Sequence, residues 1–406
     1  MPIIPPHGTR DMRGDVLPPA LLPIFEDSFV RSCDLIEEYI FRLAVDIFRR
    51  LGGESATARA GSVAEIIERC ELDPQIAPVP VDWLARLLAR RGLLEEAAGK
   101  AAEAVRYSLT GPLPENSAES IREQQEEHDP RALPSFDIAR MAADAYPECL
   151  RGTLKGEQAL FAPARLALWS KYFHNDNPLY AINNRIPAMH AAGLGDLAAP
   201  PARAIRSVLE LGGGLGSAGV ALLEALEEAG RLKDLERYRF TDVSPVFLRR
   251  GDRALRAGRD EGGGVTIQSS RVDIDGDLAA QLRSSDRFDL IFSVNTLHVA
   301  KSLEKTLRQI LELLEPGGRL IFGECVRPFP RQPLYTELVF FLLESFRSPE
   351  LDPSWRPTGG FLTAEQWTAA LEHAGFAGVE VVPDIATIRP HYDNFVVASL
   401  SARRPG

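Results

Sequence analysis

His298 and Glu324 stand 26 positions apart, each at or just past the end of an apolar run, in FDLIFSVNTLH and GRLIFGE. If those runs are neighbouring parallel strands, both side chains project from strand ends toward one cleft, and the spacing suits a strand, helix, strand crossover. A carboxylate that holds a histidine fixes its tautomer and raises its basicity, as a general base requires. A lone histidine is more often structural; position near the sheet's topological switch point is what singles out His298. His373 in LEHAGF and His391 in RPHYDN fall on an expected amphipathic helix and in a loop, and carry less weight.

A second constellation lies upstream in SVLELGGGLGSAGVALLEAL. An apolar strand runs into a glycine loop and out into a helix, so that Gly212, Gly214 and Gly216 let backbone approach a ligand where side chains would collide. Nicotinamide and flavin enzymes use such loops too. Here the last glycine of the dinucleotide fingerprint is replaced by Ser217, and Glu210 ends the strand where a carboxylate can meet a cofactor's ammonium, directly or through water. The next strand ends at Asp242, 30 residues after Gly212. That exceeds the ~20 usual for a dinucleotide site and places a carboxylate to accept two ribose hydroxyls.

The elements that must position these residues alternate from Arg203 onward. AIRSVLELGG, YRFTDV, GVTIQSSRV, FDLIFSV and GRLIFGE are short apolar runs between helical stretches, the pattern of a parallel sheet covered on both faces. AGVEVVPD and NFVVASLSAR follow as consecutive strands and suggest an antiparallel finish. Apart from the short Gly262-Gly263-Gly264 turn there is no repeat or low-complexity tract.

Upstream, Leu35, Ile36, Tyr39, Ile40, Leu43, Ala44, Ile47 and Phe48 recur at helical spacing and Gly52-Gly53 ends the run. Ser62 to Cys70 and Pro80 to Arg91 read as two more helices, and GLLEEAAGKAAEAVRYSLT as strand, acidic turn, strand. Residues 111–135, rich in Pro, Glu, Gln and Ser, read as a linker or exposed helix. Between them and the sheet, Trp169, Tyr172, Phe173, His174, Asn175, Asn177, Tyr180, Asn183 and Asn184 surround Pro178; helix packing and a lid over cofactor and substrate are both open readings. Tyr335, Phe340, Phe341 and Phe346 form an apolar stripe, either core or pocket wall. Arg327 and Arg331 suit solvated positions, or a pocket rim that meets an acidic substrate or a phosphopantetheine carrier.

ELGGGLGS, FTDVSPVFL, RVDID, FDLIFSVNTLH and LLEPGGRLIFGE resemble, in order over 205–324, the successive motifs of class I S-adenosylmethionine-dependent methyltransferases. The resemblance is closest to the C-methyltransferase domains of polyketide synthases, through TD-x-S, N-x-LH and the Glu that ends the fifth strand. It implies S-adenosyl-L-methionine as cofactor, with Glu210 toward the methionine amino end, Asp242 on the ribose, and Asp273 with Ile274 at the adenine. Asn295 and Tyr172 complete the expected cofactor contacts. His298 and Glu324 match the family's catalytic pair. The order helix, helix, helix, wing resembles the winged-helix segment in front of many small-molecule O-methyltransferases, where it serves dimerisation and substrate enclosure. The LHDW phrase of those enzymes reads LHVA here.

The fold expected is α/β: a Rossmann-like seven-stranded methyltransferase sheet (201–406), a helical winged-helix-like domain (1–115), and a linker with helical lid (116–200). Residues 1–150 hold 16 Lys and Arg against 26 Asp and Glu in a chain of net charge −11, which disfavours nucleic acid. No run reaches the ~18 uncharged apolar residues of a membrane span, the start lacks the features of a secretory signal, and four scattered cysteines offer neither a zinc pattern nor a disulfide framework. A cytoplasmic enzyme without metal follows, with a small-molecule or carrier-bound substrate and a homodimer through the N-terminal domain. Methylation of an acidic carbon is the first reading. An O-methyltransferase on a phenol or enol is the second, and a non-catalytic regulatory winged-helix protein the third.

Overall fold

The computed structural model describes residues 11–97, 105–115, 117–197, 203–257, 264–282 and 286–406. The acidic wing turn and Gly262-Gly263 lie largely or wholly outside them. The chain divides into two compact units.

The first unit comprises Asp27–Tyr172 and Arg331–Arg347. Its helix Asp27–Arg50 buries Leu35, Ile36, Tyr39, Ile40, Leu43, Ala44, Ile47 and Phe48, the stripe expected from their spacing, and Gly52 ends it in a left-handed conformation. Ser62 and Glu65 form a reciprocal capping box on the helix Val63–Arg69. The helix Pro78–Arg90 buries Trp83, Leu84 and Leu88. Strands β1 (Gly61–Ser62), β2 (Leu94–Ala97) and β3 (Arg106–Leu109) form an antiparallel sheet in the order β1-β3-β2.

The stretch that reads as a linker or exposed helix contains a helix, Glu119–His128, and is part of this unit. Only Ile121 and Gln125 face inward, so the composition is that of a solvated segment. The buried Gln125 amide nitrogen donates to Ser32 Oγ (3.1 Å) and to the Asp129 carbonyl (2.8 Å). Residues 331–347 reach the same unit from far along the chain: Trp83 donates to the Leu334 carbonyl, Tyr146 to that of Leu338, and Phe341 and Phe346 are core residues.

The second unit comprises residues 11–26, 173–330 and 348–406. Its strands are β4 (Ser207–Leu211), β5 (Arg237–Asp242), β6 (Thr266–Arg271), β7 (Phe288–Val294), β8 (Leu314–Cys325), β9 (Ala377–Val382) and β10 (Val397–Arg403). Their order is β6-β5-β4-β7-β8-β10-β9, parallel except for β10, which runs antiparallel to both β8 and β9. Strands β4 and β7 are buried throughout, as apolar runs covered on both faces must be. The order reverses between β4 and β7, so their carboxyl ends flank the crevice where ligands sit in open α/β sheets.

Helix Pro178–Ala192 packs on β8, β10 and the helix Ser217–Glu228. Gly323 permits this approach: a Cβ there would stand 2.7 Å from the Asn183 carbonyl oxygen and from the Pro187 ring. Neither backbone nor proline can yield cheaply. Gly323→Ala is expected to cost ~1 to 3 kcal/mol through overpacking, lowering the melting temperature by several degrees in calorimetry. An unchanged transition would show that the helix is free to shift.

Candidate active site

The glycine loop leaves β4 through three left-handed glycines, Gly212 (φ 66°), Gly214 (φ 57°) and Gly216 (φ 85°), a conformation that other residues adopt only under strain. A Cβ on Gly212 would strike Thr296, whereas one on Gly214 would meet nothing within 4 Å. The loop is therefore tight on its protein side and open at Gly214. Asp242, at the end of β5, ties it down: Oδ2 accepts the Gly214 N–H (2.9 Å) and Oδ1 the Ser244 N–H (2.7 Å). Burial raises the Asp242 pKa, and these two amides oppose the rise.

Glu210 lies deeper. It is buried beneath the start of the helix Ser217–Glu228, where Oε2 accepts the Tyr238 hydroxyl at 2.7 Å and Oε1 has no hydrogen-bond partner. Desolvation pushes its pKa up to about 7, with the nearby Asp242 charge adding to the rise and the Tyr238 hydroxyl and Gly219 N–H opposing it. A buried carboxylate oxygen without a donor, an open Gly214 and a backbone-held Asp242 fit a ligand carrying an ammonium and a diol.

At the end of β7 the chain turns through Asn295, itself left-handed (φ 47°). Its N–H donates to the Gly323 carbonyl (2.8 Å) and its amide oxygen accepts the Cys325 N–H (3.1 Å), stitching β7 to β8. Thr296 donates to the Gly212 carbonyl (3.3 Å), tying the turn to the glycine loop. His298 sits in the short 3-10 turn Leu297–Val299, and Glu324 near the end of β8. His298 Nδ1 and Glu324 Oε2 are 2.7 Å apart, and the His298 N–H donates to Oε1 at 3.3 Å. Both side chains are removed from water, with relative exposures of 5% and 0%.

Three hydrogen-bonded pairs, Asp242 with Gly214, Gly212 with Thr296 and His298 with Glu324, thus lie along the carboxyl edge of the sheet, joined through the backbone of the glycine loop and of the turn after β7. Asp273 and Ile274 follow β6, beside Asp242: Val272 donates to the Asp242 carbonyl (3.2 Å), Asp273 is exposed and accepts the Asp275 N–H (3.0 Å), and the Ile274 carbonyl accepts the Thr306 hydroxyl (3.1 Å). Over the start of the glycine-loop helix, Asn175 donates to the Ser217 carbonyl (2.9 Å) and accepts from Asn184 (2.8 Å). Tyr172 belongs to the first unit, where its ring meets that of Trp169 edge-on.

A family model described as a methyltransferase domain matches residues 209–320, from the glycine loop through β8. The chain carries a methyltransferase domain. The chain is similar to the highly reducing polyketide synthase NEC1 of Pyricularia oryzae, 32% identical over 194 residues, 47% of this chain and 7% of that protein. It is also similar to the highly reducing polyketide synthase ausV of Aspergillus calidoustus, 30% identical over 235 residues, 57% of this chain and 8% of that protein. The chain spans 6 to 10% of the length of the curated relatives it matches. Among solved structures the CurJ carbon methyltransferase superposes with a TM-score of 0.70 at 21% identity over 92% of each chain. The CMeT domain of the citrinin polyketide synthase gives 0.66 at 19% identity, over 96% of this chain and 99% of that one. These two share the fold.

Some residues around this site gave no sequence signal or a different one. Arg356, in the Pro- and Gly-rich stretch PSWRPTGG, is fully buried and donates to the His298 and Ala300 carbonyls. Phe361 lays its ring 4.6 Å from the His298 ring. Arg327, read as a solvated or rim arginine, is buried instead, donating to the Phe361 and Gly359 carbonyls. Among the described residues no group of three His, Cys, Asp or Glu could hold a metal ion, and no helix is long and apolar enough to cross a membrane.

The buried Glu210 sets a pH dependence. Its folded pKa stands above the unfolded value, so the folded state binds the proton more tightly and stability falls as pH rises from about 4.5 to about 7. Glu210→Gln should remove this contribution and flatten the fall in melting temperature across that window. A variant as steep as wild type would mean that Glu210 ionises as it does in water.

Proposed function

We propose that the chain methylates an acidic carbon, with S-adenosylmethionine as donor, His298 as general base and Glu324 as the group that orients it. The observation that carries this reading is the 2.7 Å contact between His298 Nδ1 and Glu324, buried at the ends of adjacent strands beside the glycine loop. A carboxylate on Nδ1 selects the tautomer whose Nε2 accepts a proton and stabilises the imidazolium that results.

Bound S-adenosylmethionine supplies an electrophilic sulfonium methyl. In this reading the Gly212, Gly214 and Gly216 backbone admits it closely, the Asp242 carboxylate accepts its ribose hydroxyls, and Asp273 with Ile274 borders its adenine. Glu210 attracts its ammonium from below, and Asn295 shapes the edge between it and the base. His298 Nε2 takes the proton from the acceptor carbon, and the electron pair left on that carbon is the nucleophile. Holding base and acceptor in line, with water kept off the buried pair, supplies most of the rate.

Similarity to highly reducing polyketide synthases favours a β-ketoacyl acceptor carried as a thioester, whose α-proton is acidic enough for a histidine. An enol or phenol oxygen would call on the same base, so product analysis separates the two acceptors. With donor labelled at its methyl and a β-ketoacyl thioester as acceptor, label should appear on the α-carbon. Label on oxygen would overturn the carbon assignment.

His298→Ala should lower kcat by ~10² to 10⁴-fold, the range of a positioned general base, with donor affinity near wild type. Glu324→Gln should lose less. Because the two act as a unit, the double variant should lose little beyond His298→Ala. Losses that multiply in single-turnover assays would assign the residues separate tasks.

A further inference from the structure

The stretch 298–301, which carries His298, is gripped at several of its backbone polar atoms by groups outside it. Its N–H groups at His298 and Lys301 donate to Glu324 (3.3 Å) and to Asp275 (2.7 Å). Its carbonyls at His298 and Ala300 accept from the Arg356 guanidinium, and that of Lys301 accepts the Glu350 N–H (2.7 Å). One segment, 350–361, therefore supplies the carbonyl donors and the Phe361 ring that lies against His298.

Arg356 is the costly member of this set. A guanidinium with 0% exposure loses its hydration, and its Nε has no hydrogen-bond partner. Its backbone closes the small loop Asp352–Arg356 through two hydrogen bonds (2.8 and 3.0 Å), so its position is set locally. A merely structural anchor for two carbonyls could be built from a neutral donor at less cost. The positive charge itself is what a neutral donor lacks, and the anionic groups that act on it are Glu324 and Asp275.

We propose that Arg356 is a positioning residue for His298: it fixes the 298–300 turn against Glu324 and sets a buried positive charge beside it. This rests on His298 being the base. Coulomb's law gives the direction. A cation beside a histidine disfavours its protonation, so removing the cation makes the ring easier to protonate. The acid limb of the rate profile should then move to higher pH.

The test compares Arg356→Met, which keeps bulk and loses charge, with Arg356→Lys, which keeps charge and loses the planar fork. In the full chain with histidine isotopically labelled, the His298 signal is assigned by its absence in His298→Ala. Its titration midpoint should rise by about half a unit or more in Arg356→Met and return toward wild type in Arg356→Lys. Over the same series kcat at pH 7 should fall at least tenfold in Arg356→Met, with donor affinity within about threefold by calorimetry. A His298 titration and an acid limb unmoved in a folded Arg356→Met protein would overturn the proposal. A silent His298→Ala would instead sink the assignment of the base itself.

Discussion

A carboxylate cut off from water has to find compensation within the protein, and Glu324 is such a group, buried near the end of β8 with β7 on one side and β10 on the other. Its hydrogen bonds come from a single turn: the His298 ring on one oxygen and the His298 N–H on the other. Hydrogen bonds to a charged group contribute about 1.5 to 3 kcal/mol, and leaving one unmade inside a protein costs at least as much. The turn after β7 is therefore not free to sit elsewhere. Register follows from the same demand, since Val294 opposite Gly323 lets Asn295 reverse the chain and bring His298 back over Glu324.

The carboxyl edge of the sheet handles its three buried acids in three ways. Asp242 is held by backbone amides, which any sequence can supply once the glycine loop exists. Glu210 has the Tyr238 hydroxyl and the Gly219 N–H, yet desolvation still raises its pKa, a rise that a ligand's positive charge would oppose. Glu324 alone is given a histidine. In the proposed reaction these differences become roles: the first recognises a diol, the second attracts an ammonium, and the third orients a base. The glycines join them, because Gly212 must let Thr296 in and Gly323 must let the helix Pro178–Ala192 close over β8.

Much of this edge was legible in the sequence because strand ends are marked by composition. SVLEL into GGGLG, RFTD and LIFGE each stop where an apolar run meets a polar residue or a glycine, and the strands end there. What strand periodicity cannot show is a residue whose partner is a backbone carbonyl on a distant loop. Arg356, before Pro357, Thr358 and Gly359, and Arg327, between Val326 and Pro328 just past a strand, fall where no periodic pattern marks an inward face. Similarly, 119–128 reads as solvated because two inward residues cannot lift its mean hydropathy. The attachment of 331–347 to the first unit could not be read either, since an apolar stripe says that a surface is buried without saying against what.

The central claim is that His298 takes a proton from carbon, and proton exchange reports this without methyl transfer. A β-ketoacyl thioester would be incubated in D₂O with the protein and S-adenosylhomocysteine, and deuterium at the α-carbon followed by mass spectrometry. The account predicts exchange above the buffer rate with wild-type protein and none above it with His298→Ala. Equal exchange by the two proteins, each folded and binding S-adenosylhomocysteine, would contradict it.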